Sequence, residues 1–349
     1  MKDIKEYKTH AQQGILLNAN EMSDNISSSI LKEIQDAILN LDLNRYPDND
    51  CTQLRDVYSN LLNIRLENVL AGNGSDQILG LLIGYFLKEG KTLLTLDPDF
   101  SMYDYYCGTY EAGLLKYPTK EDGSFNVEDF VCFANDNQVD MILFSNPNNP
   151  TGFMLKNDEI KVILEKLNDI PVVIDEAYAE FADESAIDLI DQFDNLYVTR
   201  TLSKAYALAG ARVGFLISNE KNIRQIHKAN VPYVLNCISQ MVATITLKHV
   251  NEFKDSIEAI KKKRDELIHL NYESIHIYES QANFVKVKCN DLNKMYALFD
   301  QNNVIVRKYE GKDYFRLTIG NNLEYKLIKN IFEQFEKEEK DHATNSFRT

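Results

Sequence analysis

The sequence is poor in the features that mark disulfide-stabilised, membrane-spanning and nucleic-acid-binding proteins. Its 349 residues hold five cysteines, an odd number without a C-x-x-C pair, so neither a disulfide framework nor a zinc site is expected. The longest apolar run, residues 78–87, is too short to cross a bilayer. Only 38 Lys and Arg stand against 53 Asp and Glu, and the net charge of −15 repels polyphosphates and anionic lipids. We expect neither a nucleic acid nor a membrane as partner, and no metal.

The composition is otherwise that of a soluble globular protein. Hydrophobic residues make up 44% of the chain and charged residues 26%, and the length predicts about two domains. Residues 1–8 lack the apolar segment of a secretory signal. Together with the scattered cysteines, this predicts a reducing, cytoplasmic location.

Short apolar runs alternate with helix-like segments between about residues 70 and 220. The predicted strands are 93–96, 141–144, 172–174, 196–198 and 213–217. Long connections between buried strands are typical of a mostly parallel sheet with helices on both faces, so the class is α/β. After about residue 240, a charged helical stretch and two-residue alternation predict a smaller α+β domain. We expect an N-terminal arm at 1–30, a large domain at 31–240 and a small domain at 241–349.

Polar residues follow three of the predicted strands, where ligands of such sheets bind. The segments are Asn146–Gly152, Asp175–Tyr178 and Thr199–Lys204. Each segment alone is also typical of a turn, a helix cap or a solvated surface. Their order and spacing favour one common site.

The residue types at these strand ends meet the needs of pyridoxal 5'-phosphate. Lys204 offers the amine for a Schiff base, and Asp175 offers a carboxylate to keep the pyridine nitrogen protonated. Asn149 and Tyr178 offer hydrogen bonds to the ring oxygen. These residues predict a pyridoxal-phosphate site.

A glycine-containing segment upstream is suited to the phosphate. Residues 72–77, which include Gly74, Ser75 and Asp76, precede the helix-like stretch 78–87 and offer free backbone N–H groups at a positive dipole end. Ser203 and Arg212 could complete this phosphate cradle.

With these motifs in order, the sequence resembles the fold type I pyridoxal-phosphate aminotransferases and, within them, the histidinol-phosphate aminotransferase family. The resemblance runs from Leu17 to about Gly320. It rests on residues 17–21, 45–48, 72–76, 98–103, 146–152, 175–178 and 200–212.

This resemblance implies a large domain with a mostly parallel seven-stranded sheet and a smaller α+β domain. It implies ping-pong transamination through Lys204 between L-histidinol phosphate and 2-oxoglutarate, giving imidazole-acetol phosphate and L-glutamate in histidine biosynthesis. By the same resemblance, Tyr103 would stack on the cofactor ring. Tyr46 would reach the phosphate in the partner subunit's site, so a homodimer is expected. The other implied ligands are Thr201 for the cofactor, and Asn20, Arg307 and Arg316 for the substrate.

Three other functions stay open at this point. An aromatic amino-acid aminotransferase shares every cofactor motif and differs only in what the arginines and apolar lining admit. A threonine-phosphate decarboxylase-like lyase uses the same scaffold. A non-catalytic binding module would usually lack the lysine or carry an added DNA-binding segment.

Overall fold

The computed structural model describes residues 13–346 of the chain, and the side chains of residues 13–341. The outer ends of the predicted arm and small domain, residues 1–12 and 347–349, lie outside the described residues. Among the residues that the structure describes, no helix is both long and apolar enough to span a bilayer.

The strands form two sheets in the described part of the chain. In chain order they are β1 (Ile15–Leu17), β2 (Val69–Gly72), β3 (Thr92–Asp97), β4 (Gly113–Pro118), β5 (Met141–Ser145), β6 (Val172–Asp175), β7 (Leu196–Thr201), β8 (Gly214–Ile217), β9 (Ile275–Ile277), β10 (Phe284–Cys289), β11 (Val304–Lys308) and β12 (Tyr314–Thr318). The larger sheet has seven strands in the order β2-β8-β7-β6-β5-β3-β4. Its central pairings are parallel, and β8 is antiparallel to both neighbours. The predicted α/β class and mostly parallel sheet are confirmed.

Helices connect the strands and cover the sheets. They are α1 (Ser28–Ile38), α2 (Thr52–Leu62), α3 (Gly74–Phe86), α4 (Met102–Thr109), α5 (Val127–Asp136), α6 (Asn157–Lys166), α7 (Glu220–Ala229), α8 (Cys237–Lys248), α9 (Asn251–Ile268), α10 (Leu292–Gln301) and α11 (Asn322–Ser346). Apolar residues of α3 and α7 pack on one face of the large sheet, and those of α5 and α6 pack on the other.

The central strands are apolar throughout because both faces of the large sheet are covered. Successive side chains alternate between the faces, so Leu143 and Val173 join the α3 cluster while Ile142 and Ile174 join the opposite cluster. Each such buried side chain contributes about 1.5–3 kcal/mol of hydrophobic stabilisation. This burial fixes the register that brings the ends of β5, β6 and β7 side by side.

The second sheet has the order β1-β11-β12-β10-β9. Its first strand comes from the N-terminal arm and pairs in parallel with β11, Ile15 opposite Val304. This long-range pairing carries the residues after β1 towards the carboxyl ends of the large sheet. The boundaries 1–30, 31–240 and 241–349 stay a prediction.

Candidate active site

A cavity lies where the carboxyl ends of the large sheet face the second sheet. Side chains from the ends of β5, β6 and β7, from the start of α3, from the arm and from β11 and β12 line it. The cavity brings together most of the residues singled out in the sequence: Ser75, Asp76, Asn149, Asp175, Tyr178, Thr201, Ser203, Lys204, Arg212, Arg307 and Arg316.

Asp175 ends β6 at the floor of this cavity and is 3% exposed. Its two oxygens accept hydrogen bonds from the hydroxyls of Thr199 (2.8 Å) and Tyr103 (2.9 Å). Burial raises the pKa of the Asp175 carboxyl to about 6, although both hydroxyls oppose the rise. A cation beside it would restore its usual acidity, and the described residues place no cationic side chain in contact with it. The site is therefore suited to a positively charged ligand atom.

Lys204 lies on the loop after β7, and its amine points across the cavity towards the arm. Nζ donates to the carbonyl oxygen of Ala19 at 2.7 Å. Burial, assisted by the positive charge of Arg316, lowers the pKa of the Lys204 amine to about 8, while Glu21 opposes the shift. More of this amine than of an ordinary lysine is therefore unprotonated near neutral pH, as a nucleophile or base requires.

Tyr178 presents a free hydroxyl hydrogen to the cavity. Its oxygen accepts from Asn20 Nδ2 at 3.0 Å and from Asn149 Nδ2 at 3.4 Å. Arg316 Nη1 donates to Asn149 Oδ1, which fixes the amide so that its Nδ2 points the other way. Asn149 and Tyr178 thus offer two hydrogen-bond donors to an acceptor atom in the cavity.

The phosphate cradle predicted at the start of α3 depends on a close backbone approach. Gly74 begins the helix with φ +75°, in the left-handed region that glycine tolerates best. A Cβ at Gly74 would lie 2.8 Å from Arg212 Nη2. Arg212 Nη2 also donates to Asp76 Oδ2 at 3.0 Å, and the hydroxyls of Thr201 and Ser203 lie 2.9 Å apart on the opposite side. Backbone N–H groups, hydroxyls and a guanidinium together form an anion site.

Arg307 and Arg316 are direct partners on the antiparallel strands β11 and β12, so their side chains lie on one face of the sheet and line the cavity. Arg316 is 5% exposed and also donates to the carbonyl of Asn18 at 2.7 Å. Its Nε is buried without a hydrogen-bond partner. Like charges opposite each other destabilise a strand pair unless an anion lies between them. The pair therefore indicates an anionic ligand.

Two predicted ligands occupy other positions than expected. Tyr103 is fully buried behind Asp175 and donates to it, whereas Phe100 lies on the cavity wall, with the two rings edge to face at 5.7 Å between centroids. The turn after β3 turns the earlier aromatic inward to the cavity and the later one into the helix packing. Asn20, also fully buried, uses its side chain on Tyr178 and Thr318 and does not line the cavity.

Tyr46 lies away from this cavity in the described chain. Its side chain is 81% exposed and stacks on Tyr233, with ring centroids 4.5 Å apart. Leu39 and Leu43, a few residues earlier in the chain, are 83% and 67% exposed. Exposed large apolar side chains in one short segment are typical of a surface that another protein covers.

The sequence reasoning also missed two carboxylates of the cavity. Asp99 lies between β3 and α4, and burial raises the pKa of its carboxyl to about 8. Glu21 reaches the cavity from the arm, one residue after Asn20. The acid in the segment 98–103 was a visible signal for Asp99, but its function depends on a contact with β5 that is distant in sequence.

The chemistry of this donor set fits pyridoxal phosphate. An amine, a buried carboxylate without a cationic partner, two donors to one acceptor and an anion cradle are placed around one cavity. No residue of the set is missing, and a Cβ at Gly74 would displace the Arg212 guanidinium. The residues therefore satisfy each of the four requirements that the sequence suggested.

Comparisons with known proteins agree with this geometry. The family described as aminotransferase class I and II matches residues 12–335. A histidinol-phosphate aminotransferase of Clostridium novyi is 35% identical over 328 residues, which cover 91% of this chain and 92% of the relative.

Two solved structures share the fold. The histidinol-phosphate aminotransferase of Sinorhizobium meliloti, in complex with pyridoxal-5'-phosphate, gives a TM-score of 0.82 at 22% identity and covers 92% of this chain and 91% of that one. The L-threonine-O-3-phosphate decarboxylase of Porphyromonas gingivalis gives a TM-score of 0.77 at 21% identity, with coverage of 92% and 99%. The chain belongs to the class I and II aminotransferases, enzymes of the fold type I architecture that act on small molecules, and within them it is similar to histidinol-phosphate aminotransferases.

Proposed function

We propose that the chain binds pyridoxal phosphate and interconverts L-histidinol phosphate plus 2-oxoglutarate with imidazole-acetol phosphate plus L-glutamate. The observation that carries this proposal is the single cavity in which Lys204 and Asp175 lie opposite the paired arginines Arg307 and Arg316. The similarity to the histidinol-phosphate aminotransferase of Clostridium novyi supports the same reaction.

The chain's own residues divide the work of holding the cofactor. Asp175 would keep the ring nitrogen protonated, and Asn149 with Tyr178 would donate to the ring oxygen. Ser75, Ser203 and Arg212 would bind the phosphate, with Thr201 beside them. Phe100, rather than Tyr103, would cover one face of the ring. When bound, pyridoxal phosphate supplies an electron-withdrawing ring that stabilises the electron pair left on a substrate carbon.

Lys204 would serve as attachment point and proton carrier. Its amine, with a pKa lowered to about 8 by burial, would take a proton from the substrate carbon that bears the nitrogen and deliver it to the cofactor carbon on the other side of that nitrogen. Asp175 would stay anionic beside a positively charged ring nitrogen. A donor amine and 2-oxoglutarate would use the same cavity in turn, so we expect ping-pong kinetics.

Charges at the cavity mouth favour a phosphate ester with an imidazole ring over a plain aromatic amino acid. Two guanidinium groups provide more donors than a single carboxylate uses, and a phosphate dianion matches both. Glu21 offers a carboxylate to which an imidazole N–H donates and a phenyl ring does not. These groups are what separate the proposal from the aromatic aminotransferase alternative. The lyase alternative shares the fold, so only the reaction that the protein catalyses distinguishes it from the proposed function.

We also propose a homodimer with shared sites in the cytoplasm. The exposure of Tyr46, Leu39 and Leu43 supports this proposal, since Tyr46 does not line its own cavity. The partner subunit of a homodimer would bring a second Tyr46 hydroxyl to the phosphate. The location stays the expectation from the sequence.

A half-reaction tests the function. The purified protein loaded with pyridoxal phosphate is mixed with histidinol phosphate, without a keto acid, and the absorbance of the bound cofactor is followed. Rapid conversion to the pyridoxamine form is expected, phenylalanine and tyrosine should react far more slowly, and threonine phosphate should release no carbon dioxide. Conversion by aromatic amino acids alone would move the assignment to that class, and carbon dioxide release from threonine phosphate would move it to the lyases.

A further inference from the structure

The carboxyl group of Asp99 has no role in the reaction described above, yet it lines the cavity. Its oxygens accept hydrogen bonds from the N–H of Phe100 at 2.7 Å and the N–H of Ser145 at 3.2 Å. The hydroxyl of Ser145 makes a further short contact with Asp99 Oδ1, and that of Thr95 lies 3.4 Å from Oδ2. An acid with this many donors is held in one orientation.

Ser145 links this carboxyl group to the loop that carries Asn149. Ser145 is the last residue of β5, is 2% exposed, and its Oγ accepts the backbone N–H of Asn149 at 2.9 Å. Because that oxygen is an acceptor for Asn149, its hydrogen is available to Asp99. The chain of contacts therefore runs from Asp99 through Ser145 to the backbone of Asn149.

The loop from Asn146 to Gly152 has no regular secondary structure, so hydrogen bonds of individual groups hold its path: the Asn146 amide binds the backbone of Leu155, and Asn148 Nδ2 donates to the carbonyl of Pro98. The backbone N–H of Asn149 is bound by Ser145, and its side-chain oxygen by Arg316. A site group held this way loses its alignment when a supporting hydrogen bond is removed. The Asn149 amide depends on both contacts for its direction.

We propose that Asp99 is a positioning residue: through the Ser145 hydroxyl it holds Asn149 so that the Asn149 amide donates to the ring oxygen of pyridoxal phosphate. This inference rests on the proposed function. Asp99 itself need not touch the cofactor or the substrate.

The visible absorption band of the bound cofactor reports this hydrogen bond. The nitrogen that joins Lys204 to the cofactor carries a proton that shares the same ring oxygen. A weaker donation from Asn149 leaves that proton more tightly held, so the band titrates at higher pH. Besides Asp99 itself, the charged groups that face this cavity are unchanged in the test: Glu21, Asp76, Asp175, Lys204, Arg212, Arg307 and Arg316.

The test compares Ser145→Ala, Asp99→Ala, the double variant and Asp99→Asn. Each alanine variant should raise the midpoint of the band by about one pH unit and weaken cofactor binding about tenfold. The double variant should show the same change as either single one, because both remove one chain of contacts. Asp99→Asn keeps one oxygen that accepts from the Ser145 hydroxyl, while its NH2 faces the Ser145 N–H, so its midpoint should lie between those of the wild type and Asp99→Ala.

Asp104→Asn is the matched control, because this acid is exposed on α4 and pairs with Lys116 outside the cavity. It should leave the band and the cofactor affinity unchanged, and circular dichroism should show a native fold for every variant. Additive effects of the two alanine substitutions would overturn the inference. So would an Asp99→Asn midpoint equal to that of Asp99→Ala, because Asp99 would then act through its charge. If the wild-type protein forms no visible band with pyridoxal phosphate, the proposed function itself fails; the inference fails alone when the band forms and Ser145→Ala leaves it unchanged.

Discussion

Replacement of Arg307 by alanine should separate phosphate recognition from every other function of the cavity. In the described part of the chain the Arg307 guanidinium has no hydrogen-bond or ion-pair partner, and its nearest ring, Tyr309, lies 5.9 Å away. Its removal therefore strands no buried group and should leave stability nearly unchanged. A charge-assisted hydrogen bond contributes about 1.5–3 kcal/mol, and about 1.4 kcal/mol is a factor of ten. The value of kcat/KM for histidinol phosphate should fall about 10- to 100-fold.

Phenylalanine serves as the comparison substrate, because its carboxylate still has Arg316. Its low kcat/KM should change by less than about threefold. The ratio of kcat/KM for histidinol phosphate to kcat/KM for phenylalanine should therefore fall, and this fall is the result that tests the prediction. Arg316→Ala should be less selective, since Arg316 also holds Asn149 and the carbonyl of Asn18. Lys308→Ala is the control, because successive residues of β11 face opposite sides of the sheet. Equal losses for both substrates with Arg307→Ala would refute the reasoning.

Three further predictions follow from the same contacts. Capture of pyridoxal phosphate by the cofactor-free protein should accelerate as pH rises through about 8, because burial lowers the pKa of the Lys204 amine to that value. Stopped-flow absorbance measures the capture rate, and a midpoint of that rate near pH 10 would contradict the prediction. Gly74→Ala should weaken cofactor binding at least tenfold in equilibrium titration, since its Cβ would meet Arg212 at 2.8 Å and its φ is +75°; an unchanged dissociation constant would argue against the cradle. When the Tyr46→Phe and Lys204→Ala proteins are mixed and refolded, the mixture should be more active than the two proteins measured separately. The reason is that one site of each hybrid dimer regains both the Lys204 amine and the Tyr46 hydroxyl. Hybrid dimers without recovered activity would exclude a shared site.

The strand pattern predicted five of the seven strands of the large sheet and the polar residues at its carboxyl edge, while β2 and β4 were not among the predicted strands. Asp175 ends one buried apolar strand and Lys204 follows another, so their proximity at the carboxyl edge could be predicted from the sequence. The N-terminal arm differs: its position depends on the pairing of Ile15 with Val304, a contact between distant parts of the chain. The side-chain contacts of Asn20 follow from that pairing and could not be read from its motif.

A second feature that could not be predicted from the sequence is the direction of the side chains that follow a strand. Phe100 and Tyr103 are three residues apart around one turn, and the sequence gives no sign of which ring faces the cavity. A third feature that could not be predicted is the set of buried polar contacts. The ion pairs of Arg200 with Glu176 and Glu180 lie beneath the site, and each partner alone looks like an ordinary surface charge in the sequence.

The most direct test of the central claim, that Lys204 holds the cofactor in this cavity, is reduction of the loaded protein with borohydride followed by peptide mass spectrometry. The account predicts a pyridoxyl-phosphate adduct on Lys204, with none at that position in the Lys204→Ala protein. An adduct confined to another lysine, or no adduct in a folded protein saturated with pyridoxal phosphate, would contradict it.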